Sequence, residues 1–233
     1  MSHPSALLVD LDDTVIDYGS SATACWRVAC HEAGQRLPGV DGEALLAAGL
    51  RIGHWYWSDP ERHRQGRADL LAAARWVVER ALEELGHPPE PAGEVALRYR
   101  SLRDESIRLF PGAVEALERL GAAGVRMALV TNGTSAAQRA KIERFNLARH
   151  FRHILVEGEF GVGKPDPRVY RAAMAALDSQ PEETWFVGDN LEWDVASPQR
   201  LGLRAIWVDG ARAGLPPGTT VRPDRIVHAL AEL

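Results

Sequence analysis

The run Ala6-Leu7-Leu8-Val9-Asp10-Leu11-Asp12-Asp13-Thr14 decides how the rest of the chain is read. Four apolar residues make a buried strand, and the acids begin where it ends. Aspartate is poor in strands and costly at a buried strand end unless it is paired, hydrogen-bonded or metal-bound. Strand alternation points the Asp10 and Asp12 side chains to the same side, so one can attack while the other handles a proton. Asp10, Asp12 and Asp13 together call for a counter-charge, and a bound divalent cation with an anionic substrate beyond it supplies one.

Outward from this stretch, further apolar runs read as buried strands at Val125–Thr131, His153–Val156, Thr184–Val187 and Arg204–Val208, with the first strand at Ala6–Asp10. Helical spacing falls between them at Gly112–Ala123, Ser135–Phe145, Pro167–Leu177 and Trp193–Leu201. Strands alternating with helices imply an α/β fold, a doubly wound parallel sheet of Rossmann-like type. The rhythm breaks between Tyr18 and Leu109, where helices are expected at Ser21–Gln35, Gly42–Arg51, Ala68–Leu85 and Ala92–Ile107. A segment of that length is no simple crossover. The chain is therefore expected to form a catalytic core from residues 1–17 and 109–233, with an inserted helical cap domain at 18–108.

Three later segments carry chemistry at strand ends. Val130-Thr131-Asn132-Gly133-Thr134 brings a hydroxyl and backbone N–H groups to a helix start, a place that binds phosphate oxygens or simply caps the helix. Gly161-Val162-Gly163-Lys164-Pro165-Asp166-Pro167 carries one lysine on a rigid loop; it faces an anion there or lies exposed in a turn. Gly188-Asp189-Asn190, followed by Asp194, offers carboxylates of the kind Mg²⁺ prefers, although Asp194 also suits the first turn of a helix. In a doubly wound sheet such strand ends meet beside the topological switch point.

These segments, in this order, resemble the haloacid dehalogenase (HAD) superfamily, and the insert resembles its helical type-1 cap. The resemblance spans nearly the whole chain. It rests on Asp10-Leu11-Asp12-Asp13-Thr14-Val15-Ile16-Asp17, Gly163-Lys164-Pro165-Asp166-Pro167 and Gly188-Asp189-Asn190-Leu191-Glu192-Trp193-Asp194. It is nearest to the branch of nucleotidases and acylneuraminate 9-phosphatase-type enzymes. It implies a Mg²⁺-dependent phosphatase for a nucleotide or sugar monophosphate. Asp10 would be the nucleophile and Asp12 the acid and base. Asp10, the Asp12 carbonyl, Asp189 and Asp194 would serve the metal. Thr131 and Lys164 would bind the phosphoryl group, with the Asp13 and Asn132 backbone N–H groups completing the cradle. Two departures stand out: Asp13 sits where glycine is frequent, and Ser197-Pro198 replaces a small Gly-Ala-like pair.

Inside the insert, the stretch from Arg51 to Arg67 joins three aromatics to arginines and histidines. Read as a loop, it can close over the site and offer His54, Trp55 and Arg67 to the substrate, or else pack its tryptophans inside and leave its arginines in solvent. A phosphoglucomutase-like isomerase shares the core residues. A hydrolytic 2-haloacid dehalogenase normally lacks the second acid, so Asp12 and Asp189 count against it. An inactive HAD-fold binding module has no reason to keep every acid with Thr131 and Lys164.

Composition excludes other classes. The 233 residues carry a net charge of −5 and no basic block, which gives no support for nucleic-acid binding. No apolar run approaches the ~18 residues of a membrane span. Met1-Ser2-His3-Pro4-Ser5 shows no basic region, so no signal peptide is expected, and Cys25 and Cys30 are expected as free buried thiols of a cytoplasmic protein. His150 and His153 lack the further ligands a zinc site wants and are expected to be structural.

Overall fold

The computed structural model describes residues 4–233, so Met1-Ser2-His3 lie outside the described residues. The chain divides into two compact units. Tyr18–Ile107 form one; the described residues through Asp17, with Arg108–Leu233, form the other.

The first unit is helical: α1 (Ala22–Arg36), α2 (Gly42–Ser58), α3 (Pro60–Ala68), α4 (Leu70–Glu84) and α5 (Ala92–Ser106). Its core joins Ala29, Cys30 and Ala33 of α1 to Leu45 and Ile52 of α2, Val78 and Leu82 of α4 and Val95 of α5. Cys25 and Cys30 are free and buried. One expectation fails here. The Arg51–Arg67 stretch is not a loop: α2 runs on to Ser58, and α3 begins at Pro60. Asp59 makes the break and restarts the helix. Its carboxylate accepts the Arg62 N–H at 2.8 Å, with Pro60 at the first helical position, where its missing donor costs nothing.

The second unit is built on a six-stranded parallel sheet. Its strands are β1 (Ala6–Val9), β4 (Arg126–Thr131), β5 (His153–Val156), β6 (Thr184–Gly188), β7 (Arg204–Val208) and β8 (Arg225–Val227), in the order β5-β4-β1-β6-β7-β8. Two-residue strands β2 (Ile16–Asp17) and β3 (Arg108–Leu109) pair antiparallel where the chain leaves this unit and returns. Helices α6 (Ala113–Ala122), α7 (Ser135–Arg144) and α9 (Pro167–Ala176), with the short α8 (Glu157–Phe160) and α10 (Ser197–Gln199), complete it. Central β1 is apolar and buried at every position, as a strand covered on both faces must be. Leu8, Val130 and Phe186 pack beneath Val169, Tyr170 and Ala173 of α9.

Register levels the strand ends that matter. Val9 lies opposite Leu129 on one side and Val187 on the other. The chain fills β4 and β5 on one side of β1, then crosses to β6 on the other, so the switch point lies at the carboxyl end of β1. No described helix is long and apolar enough to cross a membrane.

Candidate active site

Asp10 is the first residue beyond β1, and its N–H donates to the Val187 carbonyl at 3.0 Å. The residue is buried, with 6% of its surface exposed. The Lys164 ammonium reaches it at 2.7 Å and reaches Asp194 at 2.7 Å as well. Lys164 is itself buried, so it is no solvated turn lysine. Its backbone is clasped by the Asn132 carboxamide, whose Nδ2 donates to the Lys164 carbonyl at 2.8 Å and whose Oδ1 accepts the Lys164 N–H at 2.7 Å. Gly163 permits this approach: a Cβ there would lie 2.6 Å from both Asn132 Oδ1 and the Glu157 carboxyl carbon. Beyond the lysine, Asp166 caps α9 through the Arg168 N–H, with Pro167 at the first position.

Asp189 follows β6, and its carbonyl accepts the Trp207 indole N–H at 2.7 Å. Asn190 opens a wide π-type turn over Leu191–Ala196 by accepting the Glu192 and Trp193 N–H groups. The regular helix expected over Trp193–Leu201 is absent. The wide turn passes into the three-residue α10, where Pro198 has no N–H to continue a helical ladder. Asp194 Oδ2 accepts the Asn190 N–H at 3.0 Å while Oδ1 takes Lys164. It therefore stabilises the turn and belongs to the acid cluster at once.

Among the described residues, Asp10, Asp189 and Asp194 form the group of side chains close enough to share a cation, with one oxygen from each within 4.8 Å of the others. Burial pushes Asp10 up to about 7, Lys164 opposing and Asp194 adding to the rise. Burial, then Asp10 and Asp194, push Asp189 up to about 9. Burial alone would lower Lys164, but the two carboxylates hold it above its ordinary value, a strong ion-pair signature.

Gly188 shows how tight this corner is. A Cβ there would lie 2.3 Å from Asp194 Oδ2 and 2.4 Å from its carboxyl carbon. Gly188→Ala is expected to cost about 3 kcal/mol or more through forced displacement of Asp194. Chemical denaturation checks it: an unchanged midpoint would show that the turn gives way freely.

Asp12 lies two residues past Asp10 and is held by two residues that the motif analysis did not single out. Lys141 Nζ donates to its two oxygens at 2.7 and 3.0 Å, and Gln138 Nε2 donates to Oδ2 at 2.9 Å. Gln138 also donates to the Thr131 hydroxyl, which lies buried at the end of β4. Thr14 Oγ1 stands 3.5 Å from Asp10.

The expectation for Asp13 needs correcting. Its N–H donates to the Ile16 carbonyl at 2.7 Å, so this amide serves the turn and not an anion. Its φ of 58° lies in the left-handed region, which explains why glycine suits the position and why aspartate is tolerated there.

His54, Trp55 and Arg67 sit on α2 and α3 of the helical unit. Trp55 is 53% exposed, with the Arg62 guanidinium stacked 3.7 Å from its ring centroid. Arg67 Nη1 lies 3.4 Å from His63 Nδ1. Tyr56 and Trp57 instead close on Gly66, which has no room for a Cβ beneath their rings.

Comparison with known proteins places this chain in a family. The model of haloacid dehalogenase-like hydrolases matches residues 4–202. Phosphoserine phosphatase of Thermus thermophilus is 36% identical over 97% of this chain and 96% of its own length. Glyceraldehyde 3-phosphate phosphatase of Pyrococcus furiosus is 28% identical over 89% of this chain and 81% of its own. Among solved structures, the HAD-hydrolase YfnB from Bacillus subtilis, bound to magnesium, superposes with a TM-score of 0.75 at 23% identity over 99% and 97% of the two chains. A match over residues 4–202 and full-length identity of 36% are decisive: the chain belongs to the haloacid dehalogenase-like hydrolase family.

Proposed function

We propose that this hydrolase is a Mg²⁺-dependent phosphatase of small phosphate monoesters, working through an aspartyl phosphate on Asp10. The carrying observation is the Asp10–Lys164 pair at 2.7 Å in a cluster of three acids, of which Asp10 and Asp194 are buried and Asp189 half-buried, with a further acid, Asp12, two residues from Asp10. The names of these two relatives support the reaction class and point to small metabolites.

In this reading an Asp10 oxygen attacks phosphorus and the bond to the ester oxygen breaks. Asp12 gives its proton to the departing alkoxide. Water then attacks the phosphorus of the aspartyl phosphate, Asp12 takes its proton, and inorganic phosphate leaves with Asp10 regenerated. Lys164 neutralises Asp10 and the transferring group, and Thr131 donates to a phosphoryl oxygen. Asn132 acts by fixing Lys164. Asp12 also disfavours the dehalogenase alternative, in which no leaving alkoxide needs a proton.

The donor set fits a hard divalent cation. It is all oxygen, and three clustered carboxylates exceed the one ammonium among them. Asp10, the Asp12 carbonyl and Asp189 would hold Mg²⁺, with Asp194 in support. Bound there, it would offset the repulsion between a carboxylate nucleophile and a phosphate dianion.

The raised Asp189 gives a pH test. Asp10, Asp194 and Asp13 face it and raise it, while Lys164 opposes. The folded protein holds a proton on Asp189 up to about 9, whereas the unfolded chain releases it near 3.8. The folded state thus binds more protons across that window, and stability falls as pH rises through it. Mg²⁺ replaces the proton, so its stabilising effect on the melting temperature is expected to be larger near pH ~9 than near pH ~5. Equal shifts at both pH values would argue against Mg²⁺ at this cluster.

The helical unit is proposed as the cap that selects the substrate, with His54, Trp55 and Arg67 as recognition residues supported by the exposed indole of Trp55. Unchanged kcat/KM in Trp55→Ala and Arg67→Ala across a substrate panel would remove them. Metal-dependent phosphate release is tested on phosphoserine, triose phosphates, sugar phosphates and nucleoside monophosphates. No release from any of them, nor from p-nitrophenyl phosphate, would overturn the proposed function.

A further inference from the structure

Two polar residues of α7 are buried beside its apolar Ile142: Gln138 at 2% exposure and Lys141 at 7%, against 3% for Ile142. Burying an ammonium and a carboxamide is costly unless both are used. Three residues apart on a helix, they lie on one face. Both reach across the unit to one carboxylate, Asp12, in contacts separated by well over a hundred residues of sequence. Lys141 spans the two Asp12 oxygens, and Gln138 adds a bond to Oδ2. Its amide also donates to Thr131 Oγ1, so one side chain ties the acid loop after β1 to the hydroxyl that ends β4.

The arrangement is anchored at its base. Thr134 caps α7 by accepting the Ala137 N–H, directly after the turn that carries Thr131 and Asn132. The helix therefore starts from the same turn that its residues 138 and 141 reach back to. Asp12 is the least buried member: its side chain is 26% exposed against 8% for Lys141. Its anchors are enclosed and its other side is open, as suits a group that must meet a substrate atom.

We propose that Lys141 and Gln138 are positioning residues, which fix the Asp12 carboxylate toward the ester's leaving oxygen and couple its orientation to Thr131. The inference rests on the phosphatase reading, because it assigns them a role only through Asp12. Without them the Asp12 side chain is free to take other rotamers, and proton transfer loses its alignment.

The test compares two leaving groups in the full-length enzyme with Mg²⁺. An alkyl phosphate needs its departing oxygen protonated; p-nitrophenyl phosphate departs as a stable phenolate and needs little help. Lys141→Met and Gln138→Leu are expected to lower kcat on an alkyl phosphate ~10–100-fold but on p-nitrophenyl phosphate less than ~5-fold, with KM little changed. Lys141→Arg, which keeps two donors for the carboxylate, is expected to recover most of the alkyl activity. Equal losses on both substrates, or no loss on either, would overturn the positioning role while leaving the phosphatase reading intact. A wild-type enzyme that releases phosphate from neither ester would sink the phosphatase reading itself.

Discussion

Asp10→Asn protein is expected to release no measurable phosphate, a loss of ~10⁴-fold or more, while melting no lower than the wild type. The two halves of this prediction have one cause. Asp10 is buried among acids, and burial is the largest influence on its carboxyl, ahead of Lys164. An amide removes a charge whose desolvation the fold has to offset, and Lys164 keeps Asp194 as a partner at 2.7 Å. Activity vanishes because an amide oxygen is too weak a nucleophile for phosphorus. A fold that unfolds more easily in Asp10→Asn would mean that the Asp10–Lys164 pair is a net structural bond. Thermal denaturation beside a phosphate-release assay separates these outcomes. Retained turnover in Asp10→Asn with a dead Asp12→Asn would exchange the roles of the two acids.

Lys164→Met is expected to fail on both counts. The methionine fills much the same volume, so lost packing is small. What goes is the ammonium that Asp10 and Asp194 share, which leaves a cluster of three carboxylates with no cation among them. Breaking a buried ion pair from one side costs about 3–5 kcal/mol. Phosphate release is expected to fall by ~10³-fold, because nothing then neutralises the approach of phosphate to Asp10. Added Mg²⁺ is expected to restore part of the stability but little of the rate. Denaturant midpoints with and without Mg²⁺ measure the first effect; a midpoint within error of the wild type would show that Lys164 contributes no net stability.

The contrast between these variants follows from an asymmetry that was partly visible in the sequence. The acids were legible because aspartate at the end of Ala6-Leu7-Leu8-Val9 has no local reason to be there. Lys164 was legible through its glycine and proline neighbours, which freeze a loop around it. The parallel sheet was legible in the alternation of strands with helices; its strand order was not, and the fold supplies the central β1 that the switch-point argument requires.

What escaped was either short or non-local. The strands β2, β3 and β8 have two or three residues, too few for a period to show. The extension of α2 through Trp55 and Trp57 was masked by a cluster of aromatics, glycine and arginine that mimics a functional loop. Asp59 with Pro60 was the signal that a helix restarts there. Gln138 and Lys141 escaped because polar residues on a helix read as its wet face. Their position one turn ahead of Ile142 and Phe145 was the available clue, and only the fold shows that Asp12 lies within reach. Asp13 was assigned to the phosphate cradle on its place in the motif, whereas its left-handed φ and its bond to Ile16 give its amide to the turn.

The central claim is that phosphate passes through Asp10, and trapping the enzyme during turnover tests it most directly. Acid-quenched enzyme, digested and analysed by peptide mass spectrometry, is predicted to carry one phosphoryl group on Asp10 and none in the Asp10→Asn protein. A phosphoryl group on another residue, or steady phosphate release with Asp10 never modified, would contradict it.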